Sequence, residues 1–406
     1  MSDSEFRARI DFLRFLLIVG LVFIPYGFYP DSEISPFRGY VDSTTPVATF
    51  VNTFVLFFFL SAVPLLSTIS GYLFFKPGDT LTPAFYLGRY RSRVRSVLLP
   101  MISWNAFGLA VFGSIFLLAP DSPFLSLVSY DFDSLTVTNV VNALLGITRH
   151  PINFQFWFLR DLFLTVLLSP VLGLLVRHAP RLGLLGLGAV WLSGIDTVIF
   201  FRADVVFFFY LGALWRMSGW TLEFISERSA FCLMAAYVAL VALRVLSPEV
   251  VADGSLLDTV IEEPITRSLR LVGVVAFWGC SPWFARTTPG RWIASVGALA
   301  FFLHAVHWPL NQFIKAGLAG FLPIHSSGWL LVNYLTTTVL TVAAALLIAR
   351  GLARFAPPVF LHLSGGRSSP WGVPSAAKRP ARSAEAKPIV DTVQPVDSAK
   401  PQSAGI

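Results

Sequence analysis

Uncharged apolar runs of nearly bilayer length recur along this chain from about residue 12 to residue 349. No other feature constrains the fold so tightly. The hydrocarbon core of a membrane asks for roughly 20 apolar residues per helix. It also holds no water, so each segment must satisfy its own backbone N–H and C=O groups, which helices do. Composition fits: 55% of residues are hydrophobic and 13% are charged, against about a quarter charged in a soluble domain. The expectation is an all-α, polytopic transmembrane helical bundle forming one membrane domain.

Ten spans are predicted, at 12–29, 50–75, 97–118, 154–176, 182–201, 204–217, 229–246, 268–285, 292–314 and 329–349. Lys and Arg placement sets their orientation. With the N-terminus inside, Arg7, Arg9, Lys76, Arg89, Arg91, Arg93, Arg95, Arg177, Arg181 and Arg350 fall on the cytoplasmic side. Asp31, Glu33, Asp42, Asp121, Asp131, Asp133 and Asp253 fall on the other. An even span count then puts both termini in the cytoplasm.

The membrane domain is assigned to residues 1–355 and a disordered, basic, Pro/Ser/Ala-rich cytoplasmic tail to 356–406. From residue 364 onward six Lys/Arg stand against three Asp/Glu, with too few large apolar residues to fold alone. The first apolar segment lacks an Ala-x-Ala pattern and reads as a retained anchor. Cys232 and Cys280 are isolated in apolar segments, so they read as buried packing residues without a disulfide or metal role. The net charge of +7 gathers at one set of loops, which argues against nucleic acid as a partner.

Four groups of residues carry candidate chemistry. His304 and His307 stand three apart in Phe301-Phe-Leu-His304-Ala-Val-His307-Trp-Pro309 and share one helix face. An imidazole at membrane depth usually faces a cavity or the bundle interior and can take a proton near neutral pH. The plainer reading is an interfacial pair bonded to neighbouring helices. A zinc site would need a third ligand at helical spacing, and none stands there. Trp157, Arg160 and Asp161 open the fourth span. Arg160 and Asp161 point about 100° apart on a helix, so each is expected to find its partner on another helix. They suit either a structural ion pair or the wall of a sugar site. Arg89, Arg91, Arg93 and Arg95 suit a phosphate-rich donor, or simply anchor a positive inner loop. Arg14 lies about one turn inside the first span, where it snorkels to the interface or faces a cavity.

In this order these groups resemble the acyltransferase 3 family of integral-membrane O-acyltransferases. The matching pieces are Arg9-Ile-Asp-Phe-Leu-Arg14, Ile69-Ser70-Gly71-Tyr72-Leu73-Phe74-Phe75, Arg93 to Trp104, Phe156 to Leu162, Phe209-Tyr210-Leu211-Gly212-Ala213 and Phe302 to Leu310. The resemblance implies transfer of an acetyl or succinyl group from cytoplasmic acyl-CoA to a sugar hydroxyl of a surface or secreted polysaccharide. It implies a multi-pass protein of the inner (plasma) membrane that uses acyl-CoA as co-substrate and holds no bound cofactor. Arg14 then belongs to the catalytic centre, Arg89, Arg91, Arg93 and Arg95 to the acyl-CoA site, and Trp157, Arg160, Asp161 and His304 to the acceptor site. His307 matches the late family histidine and is the candidate base; His304 stands where an aromatic is more usual.

One departure bears on the chemistry. Members of that family usually carry His eleven residues after the first-helix Arg, and this chain has Pro25 there. Proline has no proton to exchange, so the acid/base role is moved or lost. Either His304 or His307 reaches the same cavity and takes the proton, or the protein is a degenerate member that binds glycan or acyl-CoA without turnover, as a glycan-lipid transporter or a non-enzymatic membrane partner.

Overall fold

The computed structural model describes residues 3–27, 29, 36–40, 44–128, 130–133, 136–194, 199–221, 223, 225–247, 263–322 and 326–371. The expected disorder from residue 372 onward and the acids at positions 31, 33, 42 and 253 lie outside the described residues. Every regular element among them is helical. In chain order they are α1 (Asp3–Phe23), α2 (Pro46–Phe59), α3 (Ala62–Phe74), α4 (Pro83–Arg93), α5 (Leu99–Leu118), α6 (Val137–Leu145), α7 (Trp157–Leu167) and α8 (Ser169–His178). There follow α9 (Pro180–Ser193), α10 (Ala203–Met217), α11 (Glu227–Val245), α12 (Glu263–Arg286), α13 (Thr288–Ser295), α14 (Ala300–Ala319), α15 (Ser327–Phe355) and α16 (Pro357–Leu363).

The sequence marks many of these starts. Proline opens α2, α4, α9 and α16, where its missing N–H costs nothing. Thr82, Thr136, Ser226, Thr287 and Ser326 each accept a backbone N–H from the first turn of the helix they precede, which satisfies one of its orphan donors.

Each of the ten predicted spans overlaps a helix among the described residues, but not all of these helices have crossing length. Five helical stretches are long and apolar enough: Pro46–Phe74, Pro83–Leu118, Glu227–Val245, Pro264–Arg286 and Ser327–Phe355. Two bent pairs, α7 with α8 (60°) and α13 with α14 (47°), raise the number to seven if each is one span. α9 and α10 are shorter, with 14 and 15 residues, and α1 carries Arg7, Arg9, Asp11 and Arg14 between its start and its middle. Large apolar side chains such as Leu117, Leu118, Val339 and Leu347 are exposed on the outer surface, as a lipid-facing surface requires. Cys232 joins that surface, contrary to its expected burial, whereas Cys280 is buried.

A close crossing of α3 and α10 explains two of the sequence motifs. A Cβ on Gly71 of α3 would lie 1.9 Å from the Phe209 carbonyl oxygen of α10. One on Gly212 of α10 would lie 1.9 Å from the Thr68 carbonyl oxygen of α3. The two glycines let the backbones meet, as small residues do between membrane helices. Gly212→Val is expected to cost about 3 kcal/mol or more through overpacking. Lower thermal stability in detergent and lower membrane yield would show it; an unchanged melting temperature would contradict it.

Ordered chain also continues past the boundary expected at residue 355. Phe360 of α16 packs on Phe302 of α14 with ring centroids 5.9 Å apart, and the Leu363 carbonyl accepts from Trp104 Nε1 at 3.1 Å. Gly365 and Gly366 then turn the chain with φ of 68° and 78°, values that favour glycine. A Cβ on Gly365 would meet the Ser96 carbonyl oxygen at 2.3 Å. This tight return delivers Arg367 into the bundle.

Candidate functional site

Two cavities lie back to back in the bundle, and Phe158 and His304 line both. The first, of about 400 Å³, is basic. Asp11, Arg14 and Ile18 of α1, Arg93 and Val97, and Arg367 after α16 line it together with residues of α7 and α14. Its one acidic lining residue is Asp11, 4.0 Å from Arg14. Burial, then repulsion from Arg14 and Arg93, pushes the Arg367 guanidinium down to about 9, so it stays charged at neutral pH. Three guanidiniums around one space make an anion site suited to phosphate.

Of the four arginines expected to hold a donor, the cavity takes one. Arg93 lines it. Arg89, on the same helix face one turn earlier, stacks over Phe74 and Phe85 at 5.5 and 5.1 Å. Arg91 and Arg95 are exposed. The reason is periodicity: alternate residues share a face in a strand, but on a helix they scatter around the axis. A π-turn at Val94–Leu98 follows Arg93, a distortion often found at functional sites.

The second cavity, of about 120 Å³, lies against Pro25. Pro25 sits in a short 3₁₀ turn at the end of α1, and its carbonyl accepts from Gln312. Around it are Gln155, Trp157, Phe158, Arg202, Asp204, Arg270, His304 and His307. Both histidines therefore reach the place where Pro25 stands. His307 is 1% exposed and its Nδ1 lies 2.7 Å from the His304 carbonyl oxygen. That acceptor fixes the tautomer: Nδ1 carries the proton and Nε2 keeps a lone pair. His304 is 4% exposed, and neither of its ring nitrogens has a hydrogen-bond partner. The plainer expectation, an interfacial pair bonded to neighbouring helices, does not describe it.

Trp157 lines the Pro25 cavity, but its ring faces the Arg202 guanidinium at 5.0 Å. Arg160 and Asp161 do not line it. They pair with each other, Nη1 to Oδ1 at 2.7 Å, against the expectation of separate partners. The 100° between them is bridged by the length of the arginine stem. Arg160 also donates to the carbonyls of Ile199 and Ile147 and covers the Phe201 ring at 4.3 Å. Asp161 accepts from the backbone N–H groups of Phe201 and Arg202 at 3.3 and 3.0 Å. The pair thus fastens the loop that presents Arg202 to the cavity. Asp161→Asn is expected to cost about 3–5 kcal/mol, because it strands a buried guanidinium. Arg160→Met with Asp161→Leu should regain much of that stability in detergent unfolding without regaining activity; a double variant as unstable as Asp161→Asn would contradict this.

Sequence reasoning missed four residues here. Asp204 and Arg270 form a buried pair at 2.6 and 2.7 Å, and Trp191 Nε1 donates to Asp204 at 2.7 Å. Their signal was available, since ionisable residues inside spans are rare. Arg202 follows directly on the fifth predicted span. Arg367 gave no signal, lying where composition turns to Pro, Ser and Ala.

A family profile described as acyltransferase domain matches residues 7–350. The chain is 28% identical over 397 residues to the succinoglycan biosynthesis protein ExoH of Rhizobium meliloti (strain 1021), covering 95% of this chain and 98% of that protein. No solved structure matches. With the profile spanning the helices from α1 to most of α15, the chain belongs to the acyltransferase 3 family and is a multi-pass membrane acyltransferase.

Proposed function

We propose that this protein moves an acetyl or succinyl group from cytoplasmic acyl-CoA to a sugar hydroxyl of a surface or secreted polysaccharide. One observation carries the reading: a basic cavity and a histidine-bearing cavity share a single wall. The phosphates of acyl-CoA bind Arg14, Arg93 and Arg367, with the basic end of the bundle in the cytoplasm and both termini there. The thioester points toward Phe158 and His304. The acceptor hydroxyl enters the Pro25 cavity, where Trp157 and Arg202 meet the sugar and His307 Nε2 takes its proton. A cavity of about 120 Å³ admits a hydroxyl-bearing arm of the acceptor, with the rest of the glycan outside.

The relative's printed role, in succinoglycan biosynthesis, supports an exopolysaccharide acceptor. Protein purified into nanodiscs, given radiolabelled acyl-CoA and glycan from the producing cells, is expected to move label to the glycan. If glycan stays unlabelled while the protein remains folded, the reading of a non-catalytic glycan-binding or transport protein replaces this one.

A further inference from the structure

We propose that His304 carries the acyl group covalently across the wall between the two cavities, as an N-acylimidazole. The inference rests on the acyl-transfer reading above and adds a step to it. His304 is one of two residues that line both cavities, and Phe158 has no nucleophile to offer. Direct transfer needs thioester and hydroxyl within about 3–3.5 Å of each other, yet these two rings stand between the spaces that would hold them.

The surroundings of His304 fit a carrier better than a structural histidine. Buried polar groups are nearly always hydrogen-bonded, yet both ring nitrogens of this 4% exposed residue lack a partner. The Gln155 carbonyl bears on the ring without meeting hydrogen-bond geometry. The backbone beside it is held instead: His307 Nδ1 donates to the His304 carbonyl, and Gln155 Nε2 donates to the Ala305 carbonyl at 3.0 Å. The ring is therefore positioned while its lone pair is left unengaged, as a nucleophile requires. Phe156 and Phe158 flank it edge-on, with centroids 6.1 and 5.9 Å away. Such an apolar cage keeps water from a reactive acyl group.

The steps balance. A ring nitrogen of neutral His304 attacks the thioester carbonyl carbon, the C–S bond breaks, and the proton of the other ring nitrogen goes to the departing thiolate. Coenzyme A leaves as the free thiol and His304 is left acylated. The sugar hydroxyl oxygen then attacks the acyl carbon and the C–N bond breaks, returning its electron pair to the ring. His307, 5.5 Å away between ring centroids, takes the hydroxyl proton and returns one to His304.

Acyl-CoA to CoA exchange without acceptor reads the first half alone. Purified protein in nanodiscs, given acyl-CoA and isotopically labelled CoA but no glycan, is expected to place label in the acyl-CoA pool, and after free acyl-CoA is removed hydroxylamine should release protein-bound acyl group as a hydroxamate. His304→Ala and the ring-preserving His304→Phe should each lower exchange at least 100-fold, while acyl-CoA still binds with a Kd within about threefold. Wild-type protein that acylates glycan without exchange, or a His304→Phe variant that still exchanges, overturns the carrier and leaves acyl transfer standing. Wild-type protein that neither exchanges nor acylates glycan overturns both.

Discussion

His307→Ala is expected to lower glycan acylation by roughly 10²–10⁴-fold, the range set by loss of a positioned general base. The variant should stay folded, because the His307 ring bonds to backbone carbonyls of the preceding turn of its own helix, at His304 and Leu303. The matching gain is in Pro25→His. Pro25 shares a cavity with both histidines, so an imidazole introduced there should recover part of what His307→Ala loses, measured as acyl groups per glycan repeat. Full activity in His307→Ala would remove the base from this account. Failure of Pro25→His to rescue would mean that the turn holding residue 25 no longer aims a side chain at the acceptor.

The second large effect concerns the donor. Arg14→Ala, Arg93→Ala and Arg367→Ala should each raise the KM for acyl-CoA by about 10–100-fold, the worth of a hydrogen bond to a charged group, with kcat less affected. Arg14→Lys should restore little, since an ammonium does not reproduce the two-pronged fit to phosphate. Arg91→Ala and Arg95→Ala, whose side chains are exposed, should leave KM within about twofold. Equal losses across all five alanine variants would point to general surface charge rather than to this cavity. The Arg367 result is the sharpest of these, because that residue lies past the matched family region, which ends at residue 350.

Much of the fold was legible in the chain because its driving signals are local. Apolar length gives helices, and Pro46, Thr82 and Thr287 mark where three of them begin. What composition does not carry is the angle between consecutive helices, so the bends after Leu167 and Ser295 passed unseen within unbroken apolar runs. The site was legible residue by residue and less so as a constellation. Arg14, Trp157, His304 and His307 all reach a cavity, as residues of ambiguous role inside spans tend to. Arg160 and Asp161 stood out as charges, but their pairing with each other and with the backbone about 40 residues on did not, because that loop is distant in sequence. Arg270 and Asp204 stand 66 residues apart, and sequence gives the depth of each charge without naming its partner. Gly71 and Gly212 stood out as motif members; only the crossing of α3 and α10 shows that their role is close packing.

Mass spectrometry of surface glycans tests the central claim most directly, comparing a deletion strain with the same strain complemented by the wild-type gene. The account predicts an acetyl or succinyl group that disappears with the gene and returns with it. Complementation with the His307→Ala gene should leave the glycan bare. An acylation pattern unchanged by the deletion would contradict acyl transfer to surface polysaccharide.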